Sequence, residues 1–514
     1  SNFAISSKSE KASTRFSGFY QSEKGRVPNS ELKTGGLTFN GIYNLSENFS
    51  VESKLSYNKV YSPNYPRHGY GPRNHMYTIL IWMGDDVNGQ DLKEHLYIPG
   101  QEGYRQANFN YAWYNNVYFA AYELNQKHDA NKINGQIKLK WDITDDLSVQ
   151  ARSSGVIDDI FQNRESPKSY LNYGDPREGD YKTWNTNKLN VDNDILVSYK
   201  NDVSEKFQFS ANAGASQFYR KYQQEYNATD GIVVPWVYSL NNTMGNVKAS
   251  TYYEQREIRS IFGTVTLDMV DAFFLTLTAR NDWSSTVPKS NNSYFYPSVS
   301  LSTLVSNLID LPETFDYLKL YGSWAEVSSD LSPYQISSYY NNSGSYSGLP
   351  RVTYPSGIIN PEIKPEKSTS FELGLSSVLL SNRLSFDFTY YNIVDENQII
   401  NLPTSEASGF SSRKVNGNQY TTNGFEIMLN TNPVRTADLR WDLGLNWTTS
   451  VKKLTEIYGV ANKFGNYSLN ERVDNYYATG WMKTQDGRLI LNENTGLPIR
   501  DAFTQMHGHL DPNW

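Results

Sequence analysis

The chain has 514 residues, a net charge of −7 and no cysteine; 38% of it is hydrophobic and 14% aromatic, which leaves few aliphatic residues for several globular cores. Thirty-nine tyrosines and 34 glycines favour strands and turns over helical bundles, and the acidic balance excludes a nucleic-acid footprint. Disulfide, thiolate-metal and cysteine-nucleophile chemistry are excluded as well, and the longest strongly apolar run, Thr78 to Met83, is far short of the ~20 residues a membrane-spanning helix needs.

In chain order, a lone strand is predicted over Ala12 to Tyr20. Hairpins follow, each of two strands with period-two alternation: Leu37 to Leu45 with Phe49 to Tyr57, Asn131 to Asp142 with Leu147 to Ala151, and Leu189 to Tyr199 with Phe207 to Ala215. Four more are Ile261 to Leu267 with Phe273 to Ala279, Val299 to Val305 with Leu318 to Trp324, Phe371 to Leu375 with Leu384 to Tyr390, and Phe425 to Leu429 with Leu439 to Trp447. In the second of these hairpins Ile133, Gly135, Ile137, Leu139 and Trp141 alternate with Asn134, Gln136, Lys138 and Lys140, and Thr144-Asp145-Asp146 supplies the tight turn. Fifteen strands result. No helical period longer than about ten residues stands out.

Turns within hairpins are short, whereas most links between them run long: Ser62 to Ala130, Ile157 to Lys188, Gln217 to Glu257, Val327 to Lys367, and from Thr449 onward. In an up-and-down sheet this puts short turns at one end and long loops at the other, as in outer-membrane barrels. Across the fourteen hairpin strands, with the first strand of the second hairpin counted over its alternating residues Ile133 to Trp141, 60 positions form the apolar set, and none is Asp, Glu, Lys or Arg. The 46 interleaved positions carry twelve such charges, among them Glu52, Lys54, Lys138, Lys140, Lys319, Asp387 and Glu426. Such exclusion fits a face where a Lys or Arg at the bilayer midplane costs roughly 2–4 kcal/mol. Trp141, Trp324, Trp441, Trp447, Tyr43, Tyr199 and Tyr390 fall near the ends of apolar runs, where amphipathic rings meet lipid headgroups. The fold class is therefore all-β: a transmembrane antiparallel up-and-down β-barrel with long extracellular loops.

Several segments are similar to the barrel of TonB-dependent outer-membrane transporters, specifically their SusC/RagA-like branch. The most specific is Asn360-Pro361-Glu362-Ile363-Lys364-Pro365-Glu366-Lys367 leading into Phe371-Glu372-Leu373-Gly374-Leu375. Others are Arg280-Asn281-Asp282-Trp283-Ser284-Ser285, Tyr296-Pro297-Ser298-Val299-Ser300, Leu318-Lys319-Leu320 and Asn423-Gly424-Phe425-Glu426. Two departures stand out: the family usually has glycine at the position of Trp283, and a glycine-containing turn where Glu326-Val327-Ser328-Ser329 stands. The resemblance implies TonB-energised import of oligosaccharides or oligopeptides through the outer membrane of a Gram-negative bacterium. It also implies a SusD-like lipoprotein partner, contact with outer-membrane lipid, and a dimer of transporter–lipoprotein pairs. Family members carry a TonB box and a plug inside 22 strands. Neither the box nor the plug is expected within residues 1–514, which read as a partial barrel ending at Asp511-Pro512-Asn513-Trp514, and the interior charges would contact the plug.

His507-Gly508-His509 lacks a nearby third ligand, and His68, His75, His95 and His128 show no ligand spacing and read as surface residues. Asp85-Asp86, Asp145-Asp146 and Asp158-Asp159 are adjacent pairs, not the separated carboxylates of a glycosidase. No catalytic motif, metal site or cofactor is expected. Asp486-Gly487 and Asn494-Thr495-Gly496 are turn formers flanking Leu489 to Leu491. The candidate substrate-binding residues are loop aromatics that can stack on sugar rings or peptide side chains: Trp82, Trp113, Tyr114, Tyr118, Trp184, Trp236, Tyr339 and Tyr340. The alternatives are a passive porin-like barrel and a soluble all-β adhesin or glycan-binding protein, the latter extractable without detergent.

Overall fold

A computed structural model of the protein describes residues 1–459 and 462–512; Asn513 and Trp514, which end the segment singled out above, lie outside the described residues. Sixteen strands make one sheet in chain order: Asn2–Lys8, Ala12–Lys24, Glu31–Asn44, Phe49–Ser62, Asn125–Asp142, Leu147–Ser166, Asp180–Ser204, Phe207–Ala228, Lys248–Met269, Phe273–Ser284, Ser293–Leu304, Phe315–Ser329, Glu366–Leu379, Leu384–Glu396, Gln419–Arg435 and Arg440–Glu456. All fifteen expected strands are among them. The sixteenth, Asn2–Lys8, pairs antiparallel with Ala12–Lys24 from Asn2↔Phe19 to Lys8↔Ser13. Its seven residues hold too few alternations to be read alone.

Short turns and longer connections broadly alternate along the sheet, but most strands run further toward the long connections than the alternation indicates. The Ile157 to Lys188 link shrinks to 167–179, which moves Trp184, Asp158 and Asp159 from a connection onto strands. Past the apolar band both faces of a strand meet water, so the hydrophobic period vanishes while the backbone ladder continues. Asn125–Asp142 and Leu147–Ser166 show this directly. Their register is unbroken from Asp142↔Ser148 to Asn125↔Glu165; on one face Ile133↔Ile157 is the last pair apolar on both strands, and Asn131↔Asp159, Asp129↔Phe161 and Lys127↔Asn163 follow. Likewise Trp283 and Glu326 to Ser329 lie within strands Phe273–Ser284 and Phe315–Ser329.

The chain divides into two compact units, residues 1–196 with 216–257, and 197–215 with the chain from 258 on. In the first unit the side chains Leu37, Leu55, Ile137 and Trp141 stand on one face of the strands and remain exposed, Ile137 at 57%. The opposite face carries paired charges: Glu52 accepts from Lys138 and lies 3.2 Å from Lys54, and Arg152 lies 2.7 Å from Asp194. The second unit repeats the division. Leu277, Val299, Phe371, Leu373, Phe425 and Leu445 are exposed, Leu373 at 50%. Among the described residues no second layer covers these faces; fully buried hydrophobic side chains under the loops include Phe119 and Tyr170 in the first unit and Ile363 in the second. An apolar sheet face left open over every strand fits lipid, not water.

On the polar face of the second unit two rings lie flat over glycines. A Cβ on Gly374 would stand 2.0 Å from Cζ of its cross-strand partner Tyr321, and one on Gly424 would stand 2.2 Å from Cζ of Tyr391. Both glycines belong to the segments that carry the family resemblance.

Candidate ligand-binding loops

The 63–124 connection of the first unit folds on amide side chains. Asn116 caps the helix Val117–Tyr122 by accepting from Tyr118 N at 2.9 Å and Phe119 N at 3.3 Å. Its Nδ2 donates to the carbonyls of Leu92, His95 and Ala107 at 2.8–3.1 Å. Asn115 next to it donates to the carbonyls of Pro72 and Leu171 and accepts from Gln106 Nε2 and Leu171 N. Both asparagines are buried, so these amides satisfy backbone groups of the loop and are not free for a ligand.

Aromatic rings occupy the exposed side of the same loops. Trp82 ends a short π-helical turn, Thr78–Trp82, and stacks on Tyr114 with centroids 5.0 Å apart and planes 21° apart. Tyr77 packs edge-on against Trp82, Tyr70 lies tilted against Tyr77 at 5.1 Å, and Tyr173 stacks on Tyr70 at 6.0 Å. The series brings together two expected residues and three that the sequence reading left out. Trp82 is 49% exposed, while Tyr114 is only 6% exposed and its burial pushes the phenol up to about 12. Tyr114 is thus the inner support and Trp82 the open face.

The other expected residues fall apart from this series. Trp113 is 61% exposed and its backbone N–H donates to Asn110 Oδ1 at 3.0 Å. Tyr118 is half-buried and stacks on Tyr122 within one helix. Trp236, at φ 60°, packs edge-on against Tyr97, and both donate to Glu123 Oε2, at 3.0 and 2.7 Å. Trp184 sits in strand Asp180–Ser204 and packs on Tyr226, so it belongs to the wall and not to a loop. In the second unit Tyr339 and Tyr340 are exposed, and Tyr340 packs edge-on with Tyr354 at 5.6 Å. Beyond them projects a hairpin, Asn341–Tyr346 with Leu349–Thr353, turned by Ser347 and Gly348 at φ 49° and 79°.

Sequence reasoning also missed an ion cluster at the foot of the 167–179 connection. Arg164 reaches Asp175 at 2.9 Å and Asp180 at 3.4 Å, and Lys182 reaches both carboxylates. Arg164, Asp175 and Asp180 are all buried by side chain. Burial alone would raise the Asp175 carboxyl; the charges of Arg164 and Lys182, with hydrogen bonds from Lys182 and Asn172, outweigh it and hold the group below its ordinary value. No spacing rule announces this cluster, because its members come from two strands and the loop between them.

In the second unit the segment Asn360 to Glu366 ties three connections together. Asn291 Nδ2 donates to the Glu362 carbonyl at 3.0 Å, Lys364 N donates to Asn416 Oδ1 at 2.7 Å, and Ile399 N donates to Glu366 Oε1 at 2.8 Å. Ile363 is fully buried against Val287 and Leu331. This stretch is structural.

The histidines also divide. His75 is buried at 7% exposure, not a surface residue as expected, and His128 lies in strand Asn125–Asp142 against Tyr65. His507 lies in strand Arg500–His509 and its Nε2 is 3.1 Å from the Ala478 carbonyl. Gly487 and Gly496, at φ 85° and 68°, form the two expected turns.

A family model described as TonB dependent receptor-like, beta-barrel, matches residues 69–497. Among curated relatives, TonB-dependent receptor SusC of Bacteroides thetaiotaomicron is 24% identical over 425 residues, 76% of this chain and 40% of the relative. TonB-dependent receptor P26 of Formosa agariphila is 24% identical over 362 residues, 68% of this chain and 36% of the relative. The chain thus spans 40% or less of the length of these two proteins. Among solved structures, the RagAB peptide transporter superposes with a TM-score of 0.80 at 16% identity, over 99% of this chain and 57% of that one. The pyoverdine-bound receptor FpvA of Pseudomonas aeruginosa gives 0.53 at 12% identity, over 98% of this chain and 62% of that one. At these identities the structures speak for the fold alone. With the family model covering most of the sequence and the sheet presenting an uncovered apolar face, the chain belongs to the TonB-dependent receptor-like β-barrel family and resides in the outer membrane of a Gram-negative bacterium.

Proposed function

We propose that the protein imports oligosaccharides or oligopeptides across the outer membrane, energised through TonB, and that it binds and passes them without chemical conversion. One observation carries the reading: the strands hold an apolar face open to lipid while long, aromatic-bearing loops are fixed by buried amides at one end of the sheet. A rigid loop platform with exposed rings suits a ligand that is captured and released whole. In this reading the plug and TonB box lie in sequence outside residues 1–514. The plug rests on the polar strand face, where Glu52 pairs with both Lys54 and Lys138, so that it can shift without exposing apolar surface.

The ligand-contacting residues in this proposal are Trp82, with Tyr114 behind it, and Trp113. Trp236 and Tyr118 support the loops, and Trp184 lines the wall. A SusD-like lipoprotein is the partner that closes over the loops, and the hairpin Asn341–Tyr346 with Leu349–Thr353 is assigned to its docking. That hairpin exposes Tyr346, Leu349 and Val352 at 57–75%, and its one charge, Arg351, is turned onto the Ser343 carbonyl. A surface with a single charge and rich in Tyr, Ser, Gly and Asn suits a protein partner.

Deletion of the gene, followed by whole-cell uptake of defined oligosaccharide and oligopeptide pools, tests the reading. Loss of uptake of one pool, restored by the intact gene and not by one lacking the upstream plug sequence, is expected. Unchanged import of every pool would overturn it.

A further inference from the structure

Beyond their apolar stretches, three strands of the first unit carry a row of rings on the polar face. In strand Asp180–Ser204 the apolar alternation starts at Leu189, so Trp184, Thr186 and Lys188 stand on the opposite, polar face. Tyr222, Gln224 and Tyr226 of strand Phe207–Ala228 and Tyr252 of strand Lys248–Met269 join them. Trp184 packs on Tyr226 with centroids 5.4 Å apart, Gln224 Nε2 donates to Thr186 Oγ1 and to the Tyr222 hydroxyl, each at 3.0 Å, and Tyr222 packs edge-on against Tyr252 at 5.8 Å. Tyr252 is 54% exposed and the other three rings are half-buried, so the row stays open to solvent.

The charges along this row are satisfied unequally. Glu254 accepts from the Tyr252 hydroxyl at 2.8 Å, and its other oxygen lies 3.3 Å from Arg220. Lys188 has no such counterpart: it is half-buried, its Nζ stands 5.7 Å from the centre of the Tyr222 ring, and among the described residues no carboxylate is within ion-pair reach of it. The ring holds the ammonium at the row and leaves its N–H donors free. Gln224 Oε1 likewise accepts from no group among the described residues. What this face offers a ligand is thus a cation, an amide oxygen and aromatic faces. A peptide brings an N–H at nearly every residue and an ammonium at its start, and the carboxylate beside the rings, Glu254, is already taken. An acidic sugar brings the complement: its carboxylate pairs with Lys188, a hydroxyl donates to Gln224, and its C–H faces stack on the rings.

We propose that this row is a binding track for oligosaccharides that carry carboxylates, with Lys188 reading the charge and Trp184, Tyr226 and Tyr252 stacking on the sugar rings. The track uses none of the residues of the Trp82 stack. The inference rests on the import reading above and narrows its ligand from oligosaccharides or oligopeptides to oligouronates.

Titration calorimetry on the full-length receptor in detergent tests it, with oligomers of galacturonate, mannuronate, guluronate and glucuronate, each beside its neutral methyl ester, and with a glutamate-rich peptide. At least one uronate should bind about tenfold tighter than its ester, and the difference should shrink as salt is raised. Lys188→Gln should remove that difference and leave the affinity for the ester unchanged, whereas Lys188→Arg should keep it. Trp184→Ala should weaken acid and ester alike. No binding of any uronate, equal binding of acid and ester, tighter binding of the acidic peptide, or a Lys188→Gln variant that still prefers the acid would each overturn the proposal. Import itself stands in those cases if whole cells still take up a neutral oligosaccharide or a peptide pool, whereas a receptor that binds uronates while cells import no pool overturns the import reading instead. Should a variant fail to fold, the wild-type comparison of acid with ester still decides.

Discussion

At the scale of single residues, the loops divide their labour between amides that hold and rings that face outward. Asn116 is the clearest holder. Asn116→Ala removes a helix cap and leaves three backbone carbonyls without their donor, the Leu92 carbonyl buried, and should cost about 2–4 kcal/mol of local stability. Hydrogen exchange across residues 88–122 should accelerate accordingly, while the strands stay protected. Trp82 is the outward partner. Trp82→Ala should weaken ligand binding about tenfold with no loss of folded protein, read by titration of the purified receptor. Asp175 gives a pH signature. Its carboxyl titrates lower in the folded chain than its ordinary 3.8, so the cluster contributes fully above that value and loses its contribution as the pH falls through the depressed folded value. The protease resistance of residues 167–179 should therefore be flat at neutral pH and fall only in strong acid. Aromatic loop residues were legible as a class in the sequence. Their roles were not, because which ring supports and which faces solvent depends on burial, as Trp82 and Tyr114 show.

Among the elements, strand identity was written in the alternation and strand length was not. The pattern located the apolar stretch of each hairpin, since period two marks a face that meets something different from its opposite. It stopped at Ala151 in a strand that continues to Ser166, because polar surroundings on both sides erase the contrast. Trp184 was placed in a loop for the same reason. The motifs of the resemblance acquire a physical cause here. Gly374 and Gly424 are needed because Tyr321 and Tyr391 lie across them, and the Tyr321 hydroxyl is 2.7 Å from Thr389 Oγ1. Gly374→Ala should displace the ring and cost about 1–3 kcal/mol. The double variant with Tyr321→Ala should recover part of that loss, measured as the temperature at which the folded band converts to the unfolded one on semi-native gels. Two sites with no such overlap would show additive costs.

For the molecule as a whole, the two faces of the sheet predict opposite tolerance to charge. Leu373→Arg, on the apolar face, should destabilise the folded barrel by about 2–4 kcal/mol, whereas Ser376→Arg, on the polar face, should cost far less. Tyr346→Ala combined with Leu349→Asp should leave folding intact and abolish co-purification of the lipoprotein partner assigned to that hairpin. Retention of the partner would move its docking elsewhere.

The unbroken ladder between Asn125–Asp142 and Leu147–Ser166 has one more consequence. Twenty residues of strand have a contour on the order of 65 Å, well over what an apolar band of about 25 Å requires even when tilted. The surplus is a stiff stilt. A fluorophore, antibody epitope or cross-linker set into residues 167–179 would stand clear of the headgroups at a fixed height, and distances measured from it to the bilayer would stay constant while ligands come and go.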